Sequence, residues 1–104
     1  MIDCIKSIPV SEVAYFLSEG RYVKLVAKTG ESYLLDQSLE SVEHSVDPDR
    51  FFRINRQVLV GFEAISQMVS WSKSRVKLDL HPPTDFDVVV SIDNSGEFKH
   101  WLNK

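Results

Sequence analysis

A single cysteine, Cys4, excludes an intrachain disulfide. That usage fits a reducing compartment, and a cytoplasmic location is the expectation. Cys4 stands near the N-terminus, where a frayed chain end is a poor setting for a nucleophile. No apolar run approaches the roughly 20 residues that cross a bilayer. The opening MIDCIKSIPV lacks the charged start and long apolar stretch of a signal peptide, so no membrane partner is expected. The four glycines are single and fall at turns or ends, which leaves no Gly-rich loop to cradle a phosphate. The three histidines, His44, His81 and His100, lie far apart, with none at ligand spacing from Cys4 or from one another. They read as surface residues, and neither metal nor cofactor is expected. No pattern brings two carboxylates together for acid–base work, so the sequence gives no support to an enzyme.

What is present is enough apolar material for a core. Of 104 residues, 43% are hydrophobic, which argues against disorder and suits one domain spanning 1–104. The formal net charge is -3, which by itself argues against nucleic acid. The charge is segregated, however. Residues 50–77 hold Arg50, Arg53, Arg56, Lys73, Arg75 and Lys77 against the single acid Glu63. Such a chain can present a basic face while staying acidic overall, unless folding scatters these residues.

Hydrophobic periodicity predicts a mainly antiparallel β architecture. VAYFLS (13–18) reads as a strand. In YVKLVAK (22–28), Val23, Leu25 and Ala27 share one face and Tyr22, Lys24, Val26 and Lys28 the other. KTGE is a hairpin-type turn and SYLLD a returning strand. Leu39, Val42 and Val46 fall on one face of a short helix, with Ser38 or Asp36 as cap and Asp47-Pro48 as stop. After 51–60, read as a strand and connecting segment, AISQMVSWS (64–72) and SRVKLDL (74–80) are two further strands. HPPTDFD is a loop, because Pro82 and Pro83 do not fit mid-sheet. VVVS (88–91) is the last strand. Phe98, Trp101 and Leu102 then mark a C-terminal helix, with Asn94 and Glu97 spaced as a capping pair. The strands are too close together for crossover helices, which disfavours parallel βαβ units.

The stretch FFRINRQ (51–57) does not fit a plain strand. It begins as buried sequence and then carries Arg53, Asn55 and Arg56 before VLV resumes the apolar run. These polar groups either solvate one strand face or reach for something outside the protein.

IPVSEVAYFLSEGRYVKLVAKTGESYLL, SLESVEHSVDPDRFFRINRQVLVGFEAI and VVVSIDNSGEFKHWL together resemble the LytTR DNA-binding domain of bacterial response regulators of the LytR/AlgR type. The likeness runs from about Ile8 to Leu102, residues 8–102 being the expected core. Its most specific part is DPDRFFRINRQVLV, set against a family pattern of Phe, Arg, an apolar residue, then His-Arg-Ser and an apolar run. The resemblance implies an elongated fold of about ten short strands, with one short internal helix and a C-terminal helix. It implies that loops and strand ends, rather than a recognition helix, reach double-stranded DNA, commonly at paired direct repeats in promoters.

Carried onto this sequence, the resemblance marks three segments. In SEGRY, Arg21 is the candidate contact, since Arg is the commonest reader of guanine edges; otherwise it is a solvated hairpin residue. Asn55 and Arg56 stand where the family has His and Arg. Asn pairs with adenine, and Arg with guanine or a phosphate, although Asn55 could instead bond its own backbone at a strand break. Arg53 is expected on a strand face, paired with an acid or covering apolar surface with its stem. The third segment departs from the family. Ile92, Asp93 and Asn94 replace its basic residues, and Asp93 repels a phosphate; Asn94 is either a contact or a helix cap. Lys73, with Arg75 and Lys77, can compensate or form the wet face of a strand, and Trp71 is core or rim.

The expected function is therefore sequence-specific DNA binding as the output domain of a two-component transcriptional regulator. In the full-length context the implied partners are a receiver domain and its histidine kinase, with a dimer forming on DNA. No segment of this chain resembles the receiver itself. The acidic balance and the altered 92–94 segment leave an alternative, a LytTR-like protein-interaction or antagonist module. Salt dependence separates the two, because phosphate contacts release counterions.

Overall fold

The run VAYFLS lacks the alternation of a half-solvated strand because both of its faces are covered. In the computed structural model, which describes residues 9–72 and 75–103 (without the side chains of 71 and 72), it forms β1 (Val13–Glu19). β1 is the middle strand of a five-stranded antiparallel sheet, ordered β3-β2-β1-β5-β4. Its partners are β2 (Tyr22–Ala27), β3 (Ser32–Leu35), β4 (Phe51–Arg53) and β5 (Val58–Gly61). A second antiparallel sheet holds β6 (Ile65–Ser72), β7 (Arg75–Leu80) and β8 (Val88–Val89) in that order. Two α-helices, α1 (Leu39–Ser45) and α2 (Ile92–Leu102), and two short 3-10 turns, Val10–Glu12 and Phe62–Ala64, complete the described elements. The mostly β, antiparallel reading holds, with eight strands among the described residues where the resemblance implied about ten.

Each face of the large sheet has its own cover. On one side Phe16, Val23, Leu25, Leu35 and Leu59 pack against Leu39 and Val42 of α1. Ser38 is the cap of α1, its Oγ accepting from Ser41 N at 3.0 Å. On the other side Tyr15, Leu17, Val58 and Val60 meet Leu78, Leu80 and Val88 of the small sheet, and Phe98 and Trp101 of α2. Double coverage explains why VLV (58–60), like VAYFLS, is continuously apolar: Val58 and Val60 face one layer and Leu59 the other. The paired phenylalanines divide in the same way. Phe51 packs on Phe16 at 5.7 Å between centroids. Phe52 faces Phe98 at 5.7 Å and Trp101 at 5.3 Å.

Tyr15 ties the two sheets together, its hydroxyl donating to the Pro82 carbonyl at 2.7 Å. Burial first, and the Asp85 carboxylate second, raise its ionisation above the ordinary value of 10.0. The folded state therefore keeps a proton that the unfolded chain releases. Its contribution is complete below about pH 10 and declines as pH rises through the folded-state value. Tyr15→Phe is expected to remove this alkaline decline and to lower stability at neutral pH by about 1 kcal/mol. Urea unfolding followed across the alkaline range measures both effects.

Candidate nucleic-acid interface

Strand direction sets which loops share an end of the large sheet. β1 runs antiparallel to both β2 and β5. The β1–β2 turn and the β4–β5 turn therefore emerge together. Ser18 N, near the end of β1, donates to Gln57 O at 2.8 Å. Glu19 pairs with Tyr22, which leaves Gly20 and Arg21 as a two-residue hairpin loop. Gly20 occupies φ 63, the left-handed conformation this tight turn requires. Arg21 is thus held exposed at the tip.

The β4–β5 turn is fixed from three sides. Ile54, fully buried, donates its N–H to Val58 O at 3.1 Å and closes the loop. Asn55 Oδ1 accepts from Gln57 N at 2.8 Å and Val58 N at 3.0 Å, and Nδ2 donates to Val89 O at 2.8 Å. Arg53 reaches over the same turn, donating from Nε to Asn55 O and from Nη2 to Arg56 O. Its Nη1 meets Glu43 of α1 at 3.1 Å. Arg56 is exposed, and among the described residues its guanidinium has no hydrogen-bond or ion-pair partner. The chain does turn outward within FFRINRQ, and what read as a strand with a connecting segment is two strands around a short turn.

The start of α2 closes the other side. Ser91 N donates to Ile54 O at 3.0 Å, and Asn94 Nδ2 approaches the carbonyls of Arg53 and Ile54 at 3.4 and 3.3 Å. Together these segments border an open depression with Ser18, Arg56 and Gln57 on one side and Ser91, Asp93 and Asn94 on the other. Arg21 lies at this end of the sheet but does not line the depression.

Several expectations need correction. Asn94 is not the cap of the last helix. Ser91 holds that position, and Asn94 sits within the first turn. Its carboxamide is drawn instead to two carbonyls at the end of β4, so the capping pair with Glu97 does not form. Asn55 has its oxygen filled by two backbone donors, and bidentate pairing with adenine requires that turn to open. Among the described residues of the basic stretch 50–77, Arg50, Arg53 and Lys77 have acidic partners. Arg50 lies 3.9 Å from Glu63, which also pairs with Lys28. The hydrogen bond from Lys28, its charge and then that of Arg50 hold the Glu63 carboxyl below its ordinary range. Lys77 stands 3.5 Å from Asp87 and 4.0 Å from Asp79. Cys4, Lys73 and the side chain of Trp71 lie outside the described residues.

The partner of Arg53 was missed. The periodicity of α1 places Glu43 beside its apolar face, but nothing local pairs it with a residue ten positions on. Asn55→Ala, which orphans two backbone N–H groups and the Val89 carbonyl, is expected to lower stability by about 1–3 kcal/mol. Chemical denaturation of the two proteins checks it.

Among the described residues no group of His, Cys, Asp and Glu could hold a metal ion, and no helix is long and apolar enough to cross a membrane. Among the described residues the β4–β5 turn offers one exposed guanidinium without a partner, that of Arg56, on a braced backbone.

Comparison with known proteins bears on the family and the fold. The family model of the LytTr DNA-binding domain matches residues 3–103. The positive alginate biosynthesis regulatory protein of Pseudomonas aeruginosa is 39% identical over 64 residues, which are 62% of this chain. The match spans 25% of that protein's length. A solved LytTr DNA-binding domain from Bacillus cereus has the same fold, with a TM-score of 0.81 at 22% identity over 93% of this chain and 86% of that one. With a family match that runs over nearly its whole length, the chain belongs to the LytTR family of DNA-binding domains.

Proposed function

We propose that this domain binds specific double-stranded DNA sequences, at paired promoter repeats, as the output domain of a bacterial two-component transcriptional regulator. Arg56 and Arg21 are the contacts. Asn55 and Asn94 act mainly by holding the backbone beneath them, and Lys73 is a candidate for a further phosphate contact. The observation that carries this reading is the contrast within one turn: the side chains of Asn55 and Arg53 are bonded to the chain, while the Arg56 guanidinium beside them is exposed and has no partner among the described residues. A guanidinium on a braced backbone suits a guanine edge or a phosphate. The regulatory name of the Pseudomonas relative supports the role in transcription. A receiver domain and its histidine kinase would supply the input, and two linked copies would gain affinity from adjacent repeats. All of this belongs to the cytoplasm.

Asp93 favours a second reading. Exposed in the same depression, it opposes a phosphate and leaves room for a protein partner. Selection from a random double-stranded library at low salt separates the two. Enrichment of a short repeated element is the result expected of a DNA reader. No binding above background, with circular dichroism showing the fold intact, favours the interaction module.

A further inference from the structure

We infer that Arg53 positions the DNA-contacting turn without itself touching DNA, and that Glu43 of α1 holds Arg53 in that posture. The role rests on the DNA-binding reading above. Arg53 lies in the most basic stretch of the chain, and by charge alone it would count as a phosphate contact. Its geometry says otherwise. Nε donates to Asn55 O at 2.9 Å and Nη2 to Arg56 O at 3.0 Å, so one planar group grips two successive carbonyls of the turn. Nη1 faces Glu43 Oε1 at 3.1 Å. Each of the three nitrogens thus has a partner within the protein, three of the five N–H donors being used.

Glu43 is well placed to hold the other end. α1 is anchored in the core by Leu39 and Val42. A chain of contacts therefore runs from the core through α1, Glu43 and Arg53 to the backbone of Arg56. Glu43 also offsets the charge of Arg53, which leaves Arg56 as the cation on this turn that DNA meets. The grip depends on the fork of a guanidinium. A lysine keeps the charge, but its three donors sit on one nitrogen and do not reproduce the spacing of the planar fork.

A double-mutant cycle on duplex binding, using the element enriched from the random library, tests this. Arg53→Lys is expected to weaken binding by roughly tenfold, comparable to Arg56→Ala. In the Arg56→Ala background Arg53→Lys should have almost no further effect, because both changes remove the same contact. Equal losses in both backgrounds would show that Arg53 touches DNA itself, which overturns the positioning role and leaves the DNA reading intact. No loss from Arg56→Ala overturns the contact at this turn and the positioning role with it.

Glu43→Gln supplies an independent sign. Removing a negative charge near DNA ordinarily strengthens binding. If Glu43 steadies Arg53, Glu43→Gln instead weakens it, and the loss disappears in the Arg56→Ala background. Stronger binding by Glu43→Gln contradicts the inference. This arm decides the matter even where Arg53→Lys melts below the assay temperature.

Discussion

Phe98→Ala is expected to lower folding stability by about 3–5 kcal/mol. Phe98 is almost fully buried, in the core between the large sheet, the small sheet and α2. It stacks on Phe52 at 5.7 Å and Trp101 at 5.9 Å. Trp101 in turn donates its indole N–H to the Pro48 carbonyl at 2.9 Å and meets Phe62 edge-on. The Phe52 and Trp101 rings are held by these contacts, so the space a benzyl group leaves is only partly refilled. A domain of this size has only about 5–15 kcal/mol in all, and the loss would consume much of it. The same substitution loosens α2, whose cap residue Ser91 and first-turn Asn94 border the site. Urea unfolding measures it, and a change below about 1 kcal/mol would mean that α2 is not fixed through this aromatic cluster.

Arg56→Ala should weaken DNA binding by roughly tenfold while leaving the melting temperature almost unchanged. Its side chain is exposed and makes no bond among the described residues, so little stability is lost with it. If the guanidinium meets a phosphate, every sequence weakens alike and the salt slope falls by about 0.9. If it meets a guanine edge, discrimination at one base pair is lost and the slope changes less. Binding isotherms at several salt concentrations, on cognate and scrambled duplexes, distinguish these results. Unchanged affinity and slope would remove Arg56 from the interface.

Much of this could be read from residue order. The apolar alternation of β2, the KTGE hairpin turn, a helix cap at Ser38 or Asp36 and the helical spacing of Phe98 and Trp101 are local signals, and the structure bears them out, with Ser38 as the cap. What the sequence hid is tertiary. Asn94 and Glu97 have the spacing of a cap, but open carbonyls at the end of β4 claim the Asn94 amide instead. Arg50, Arg53 and Lys77 look like a basic patch in one dimension, yet folding brings Glu63, Glu43 and Asp87 to them. Asn55 reads equally well as a base contact or a turn brace. Only the position of the Val89 carbonyl opposite its Nδ2 shows how far its amide is already engaged.

The central claim is that DNA meets the end of the large sheet where the β1–β2 turn, the β4–β5 turn and the start of α2 emerge. Amide shift mapping by NMR during titration with a short duplex at low salt tests it most directly. The account predicts perturbations concentrated at Gly20–Tyr22, Asn55–Gln57 and Ser91–Asp93, fading as salt is raised. Perturbations centred instead on the apolar groove between β6 and α2, around Met68 and Leu102, would contradict it.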